Sequence, residues 1–252
     1  MGAGGRVTSA DPLLKVPGEE EVPYYTPPVL KRPFWAIFCC GPGYALPPGA
    51  KELVGQLQQR VLVPFDAAAP EHEELLARYF RACTGEEAPA TRKDQRWKAL
   101  GFQAEDPRTD FRGAGLLGLE CLHFMADRHR QAVQQMLQES QQEGADYPFS
   151  AMVINSCHEL SAWLHVDPRR LGEGCSSGAY SFFVVLLMHE RFAFEALTGC
   201  MAAELHREWR RGGRTLLQMG ECKQAAKQRV ADFLDGQGTI EAALEKMRTL
   251  AV

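Results

Sequence analysis

A chain of 252 residues carrying a formal charge of -4, with 45% apolar and 24% charged residues, has the composition of a globular protein able to bury a sizeable core. The slightly acidic balance disfavours nucleic acid as a partner, because phosphate recognition wants a basic face. No apolar run is long enough to span a bilayer and "MGAGGRVTSA" has no signal-peptide core, so a cytoplasmic protein without a transmembrane segment is expected.

Residues 1–50 hold nine of the fifteen prolines, a density that forbids long helices. We read this stretch as a Pro-rich, largely irregular and partly disordered segment whose apolar run "FWAIFCC" docks on the body of the protein. The "MG" start does not make a myristoylation signal, since Arg6 stands where Ser or Thr is wanted. The eight cysteines include no C-x-x-C pair, and Cys83, Cys121 and Cys157 fall within apolar helical patterns. Reduced, mostly buried thiols are therefore expected rather than a disulfide framework.

From Lys51 onward the period is helical. "EHEELLARYFRAC" puts Leu75, Leu76, Tyr79, Phe80 and Cys83 on one stripe. Leu116, Leu119, Leu122 and Met125 form a second seam, with the polar "RHRQAVQQMLQESQQEG" after it. Val153, Cys157, Leu160 and Leu164 form a third. "YSFFVVLLMHERFAFEAL" is apolar nearly all round and reads as the central buried helix, and amphipathic segments follow at 215–234 and 239–250. Strand-like alternation is almost absent. The expected fold is all-α, about eight to ten helices in a single domain over residues 51–252.

Three motifs fail on context. "GAGLLG" (Gly113–Gly118) fits G-x-G-x-x-G but lacks the preceding strand of a dinucleotide site. "GCSSG" around Ser176 fits G-x-S-x-G, again without a strand, and reads as a loop whose serines cap the next helix. A serine hydrolase would need Ser176 beside His189 or His206. "HELSAWLH" has Ala162 where a zinc-protease helix has its second histidine, and His158 and His165 have no evident third ligand. No metal or cofactor is expected.

"DPRTDFRGAG" (Asp106–Gly115) is different. Asp106-Pro107 or Thr109-Asp110 offers capping chemistry where a long helix is expected to begin. Gly113 and Gly115 then sit in its first turn, each costing up to ~1 kcal/mol relative to alanine. They make sense if something approaches the backbone closely, another helix or a partner protein. Arg112 lies near the positive end of the helix dipole, with Asp106 and Asp110 close enough in sequence to compensate it. Read from these residues alone, Arg112 is first a structural arginine held by the two carboxylates, Trp97, Phe102 and Phe111 are core, and Gln103 bonds nearby loop backbone.

"WKALGFQAEDPRTDFRGAGLLGLECLHF" resembles the signature of the ELMO (engulfment and cell motility) domain, W-K-x-I-G-F-Q-G-x-D-P-x-T-D-F-R-G-M-G-L-L-G-L. It departs from it at Leu100, Ala104 and Ala114. Weaker similarity runs from about Glu71 to Leu234. The resemblance implies an all-helical domain. For short members it implies a GTPase-activating protein for an Arf-family, especially Arf-like, small GTPase. Arg112 is then the essential residue, oriented by Asp110, with Gln103, Asp106, Thr109, Gly113 and Gly115 contacting the partner. The hydrolysis chemistry would belong to the GTPase, this chain having none alone, and membrane association would be peripheral, through the partner. A non-catalytic interaction module that binds a small GTPase or an exchange factor is the alternative. Whether Arg112 is an inserted finger or a structural arginine is left open by the sequence.

Overall fold

The structure, a computed structural model, describes residues 48–143, 146–170, 174–211, 218–236 and 239–248. The expectations for "FWAIFCC" and for the rest of residues 1–47 lie outside them. Among the described residues there are ten α-helices, one 3-10 helix and no strand, in agreement with the all-α expectation. The helices are α1 (Pro48–Leu62), α2 (Pro70–Thr84), α3 (Gln95–Ala99), α4 (Gly115–Arg128), α5 (Arg130–Glu139), α6 (Phe149–Trp163), α7 (Ser177–His189), α8 (Ala193–Arg210), α9 (Met219–Asp235) and α10 (Ile240–Arg248); the 3-10 helix is Pro107–Arg112.

The predicted stripes become the core. On α2, Leu76, Tyr79, Phe80 and Cys83 are buried and Leu75 packs half-buried against them. Pro70 sits in the first turn of this helix, Gly85 closes it in the left-handed conformation, and Glu71 and Glu73 face the positive dipole end. Val153, Cys157, Leu160 and Leu164 of the third seam are all buried. Cys83, Cys121, Cys157 and Cys222 are buried free thiols, while Cys175 and Cys200 are half-buried and also free.

The centre of the molecule differs from expectation. "YSFFVVLLMHERFAFEAL" is two helices, broken after His189, where the Glu190 carboxylate accepts the Phe192 N–H at 3.1 Å. A run that is apolar all round has no period in which such a break could show. The hub is α4, which packs against α1, α2, α5, α6, α8 and the 3-10 helix. It is buried from Gly115 to Ala126 except at Leu116.

Burial on all sides puts Glu120 inside, and a charge there needs a partner. Arg60 of α1 supplies it, donating to Glu120 at 2.7 Å and to Glu195 of α8 at 2.5 Å. One guanidinium thus ties the ends of α1 and α8 to the hub. Burial pushes the Glu120 carboxyl above the usual range, with Arg60 opposing and Glu195 reinforcing the shift.

Candidate functional site

Trp97, Phe102 and Phe111 are buried, as expected of core residues. They form a ladder of rings: Phe80 to Trp97 at 5.1 Å, Trp97 to Phe102 and Phe102 to Phe111 at 5.9 Å, and Phe111 stacked on Phe65 at 4.8 Å. Edge-to-face and offset contacts of this kind hold a loop rigidly without secondary structure. The loop between α3 and the 3-10 helix is laced at its base by the Asp94 N–H donating to the Glu105 carbonyl at 3.2 Å.

Of the two capping options, Asp106-Pro107 is the one used. Asp106 is the N-cap of the 3-10 helix, accepts the Arg108 N–H at 3.2 Å, and is bonded through both oxygens to the Arg108 guanidinium. Burial raises the Asp106 carboxyl, but these bonds outweigh it and hold it below the usual range. Asp110 turns back instead and accepts the Gln103 N–H at 2.8 Å. Its half-buried carboxyl is raised, desolvation outweighing that bond, the Thr109 hydroxyl and the Arg112 charge. The two carboxylates expected to hold Arg112 therefore have other work. Asp106 is committed to Arg108, and Asp110 closes the Gln103 loop.

That leaves Arg112 at the last residue of the 3-10 helix, exposed, with no hydrogen bond or ion pair to any of the described residues. Gln103, Arg108 and Thr109 are exposed around it, whereas Asp106 and Gly115 are buried and Gly113 is half-buried.

The glycines have an internal explanation. The long helix does not begin at "DFRGAG"; the 3-10 helix ends first and α4 starts at Gly115, whose φ is +58°. The Val63 carbonyl points at that α-carbon, leaving no room for a Cβ, and accepts the Leu116 N–H at 2.9 Å. It thereby caps one of the orphan donors at the start of α4. Gly113 faces His158 of α6, whose Nδ1–H donates to the Gly113 carbonyl at 3.0 Å. Burial, then the nearby Arg170 charge, hold the His158 imidazole below its ordinary value. So the backbone directly after Arg112 is gripped by α6 on one side and by the end of α1 on the other. Neither contact had a sequence signal, since the partners lie about fifty residues away in opposite directions.

The other motifs resolve simply. Ser176 caps α7, accepting the Ala179 N–H at 3.0 Å while donating to Asp235 at 2.6 Å, and is hydrogen-bonded to no histidine among the described residues. His206 is bonded to Tyr147 and Glu139. His158 and His165 have different neighbours, Gly113 and Tyr180. No group of three His, Cys, Asp or Glu side chains able to hold a metal ion occurs among the described residues. No helix among the described residues is long and apolar enough to cross a membrane.

Fold and site together define an all-helical domain that presents one uncommitted arginine from a braced, glycine-flanked corner. Residues 55–223 match the ELMO/CED-12 family, and the chain belongs to it. ELMO domain-containing protein 1 of Pongo abelii is 37% identical over 92 residues, covering 36% of this chain and 28% of that protein. ELMO domain-containing protein B of Dictyostelium discoideum is 34% identical over 99 residues, 39% of this chain and 34% of that protein. ELMO domain-containing protein C of the same organism is 29% identical over 146 residues, 56% of this chain and 23% of that protein. The chain thus spans about a third or less of the length of these relatives. No solved structure matches it.

Proposed function

We propose that this chain is a GTPase-activating protein for an Arf-family, Arf-like small GTPase, with Arg112 entering the nucleotide site of the partner. The observation that carries the reading is the exposure of Arg112 with no hydrogen-bonding or ion-pairing partner among the described residues. A structural arginine is ordinarily engaged on several sides, because an unused guanidinium contributes nothing to the fold.

In the mechanism, the GTPase supplies the bound nucleotide and the attacking water. Arg112 supplies a charge that does not titrate and a planar fork that bonds two phosphoryl oxygens as negative charge builds on them. Arginines acting in trans in this way accelerate hydrolysis by ~10³–10⁵. Preorganisation comes from the ring ladder beneath Phe111 and from the His158 and Val63 contacts on either side of Gly113 and Gly115. Gln103 and Thr109 are exposed, which suits them to contact the partner in this reading. Asp110 and the buried Asp106 act from below, shaping the loop. The complex works in the cytoplasm, and at a membrane only where the GTPase carries it.

The test is single-turnover GTP hydrolysis by a panel of Arf-family GTPases with and without the protein. Stimulation by the native chain and its loss in Arg112→Lys, which keeps the charge and loses the fork, are the expected results. Unchanged rates across the panel, with binding intact, would replace the activator by a non-catalytic module.

A further inference from the structure

Leu62 and Val63 are 43% and 38% exposed, the large apolar side chains left in water among the described residues. On α1 the buried stripe is Ala50, Val54, Leu57 and Val61. Leu62 lies off that stripe at the last residue of the helix, and Val63 follows it. Neither side chain is used by the core, yet their backbone is fixed. Arg60 is locked to Glu120 and Glu195, and the Val63 carbonyl is locked onto the start of α4. Two residues further on, Phe65 stacks on Phe111, the residue before Arg112. The exposed pair is therefore held against the segment that carries Arg112. On its other side, the Arg169 guanidinium donates to the Val61 carbonyl at 3.4 Å while paired with Asp167.

We infer that Leu62 and Val63, bordered by Arg169, form the ledge on which the GTP-loaded GTPase seats so that Arg112 reaches its nucleotide. This rests on the activator reading above. The occupant follows from charge. The pair is flanked on one side by the uncommitted Arg112, while Arg169 on the other side is neutralised by Asp167, so it suits an apolar surface with concentrated negative charge on the Arg112 side. A GTPase with a bound triphosphate offers that combination. A second copy of this chain would bring its own unpaired Arg112 to the same interface around a two-fold axis, with no negative charge to meet it.

Two readouts test the ledge with the 252-residue chain. The first is binding to Arf-family GTPases loaded with a non-hydrolysable GTP analogue or with GDP. The second is the hydrolysis rate as a function of the concentration of this chain. Leu62→Asn, a neutral change at the residue that makes no contact with the Arg112 corner, should raise the half-maximal concentration about tenfold or more while leaving the maximal rate in place, as loss of a central apolar contact does. Arg112→Lys should do the reverse. The milder Leu62→Ala, expected to fall between native and the asparagine, guards against misfolding of the first variant. An unchanged half-maximal concentration in both variants would overturn the ledge. So would a native dimer, seen by sedimentation, that Leu62→Asn dissolves, because the occupant would then be a second copy. Binding to the analogue-loaded GTPase that Leu62→Asn abolishes, without stimulated hydrolysis, would keep the ledge and refute the activator. Absence of binding to every GTPase in either nucleotide state would refute both.

Discussion

The carbonyl oxygen of Val63 occupies the space that a side chain on Gly115 would need, and the same oxygen accepts the Leu116 N–H at 2.9 Å. A residue at the end of α1 thus dictates glycine at the start of α4, and with it the corner from which Arg112 emerges.

Gly115→Ala meets two obstacles at once. At φ +58° a Cβ is strained by about 1–2 kcal/mol. The steric conflict with Val63 adds a cost of similar size, since neither the helix start nor the loop can move without breaking the cap. The expected loss is about 2–4 kcal/mol, measured as a lower urea midpoint with unchanged slope. Alanine at Gly55, where a Cβ would meet nothing within 4 Å, is the control and should be tolerated. Equal stability of the two variants would refute the account of Gly115.

Arg112→Ala should hardly touch the fold. Its guanidinium is exposed and bonded to none of the described residues, and such surface changes stay within about 0.5 kcal/mol. Combined with lost GTPase stimulation, that result separates a working arginine from a structural one. A drop above about 1.5 kcal/mol would mean that Arg112 holds the corner together. Arg108→Ala should be costlier, because it strips the buried Asp106 carboxylate of its cation.

Much of this corner was legible in the sequence, and the reasons for the rest are physical. The α2 stripe and the Ser176 cap announce themselves by local spacing, because they are made by neighbours three or four residues apart, and Trp97, Phe102 and Phe111 announce themselves as core by their large apolar rings although the rings they meet lie further off in sequence. The partners of Gly113 and Gly115 do not, since His158 and Val63 arrive from other helices. Nearness in sequence also misled, in pointing to Asp106 and Asp110 as the anchors of Arg112. A tight 3-10 turn sends these side chains to Arg108 and to the Gln103 backbone instead. The exposure of Leu62 is visible only once the stripe of α1 has been docked on the hub.

Arg60 joins three helices, and its removal should be severe. Arg60→Leu leaves Glu120 and Glu195 buried side by side without a cation, and one Glu195 oxygen, Oε2, already lacks a hydrogen-bond partner. Breaking a buried pair from one end costs about 3–5 kcal/mol. Glu195→Gln removes one of two like charges and keeps a polar group of the same shape, so it should cost clearly less. Thermal unfolding of both variants decides the matter. If Glu195→Gln is the worse of the two, Arg60 is not the keystone.

His206 sets a pH dependence whose sign follows from its partners. Its Nδ1 accepts the Tyr147 hydroxyl at 2.6 Å and its Nε2–H donates to Glu139 at 2.9 Å, so the neutral ring is fully satisfied between α5, α8 and the approach to α6. Burial holds the imidazole below its ordinary value of 6.5; Glu139 opposes this shift, and Arg210 and Arg207 reinforce it. Below that ordinary value the unfolded chain takes up a proton that the native state refuses. The stabilisation is therefore complete above pH 6.5 and is lost as pH falls through the lower folded value. One proton corresponds to at most about 1.4 kcal/mol per pH unit. His206→Gln keeps a donor for Glu139 and cannot titrate, so its urea midpoint should fall less steeply between about pH 7 and 5 than that of the native chain. His129 and His158, also held low chiefly by burial, leave part of the slope in place. Glu120, raised by burial, acts in the opposite direction in both proteins and cancels in the comparison. Identical slopes would show that the Tyr147–His206–Glu139 chain is not what makes the fold acid-sensitive.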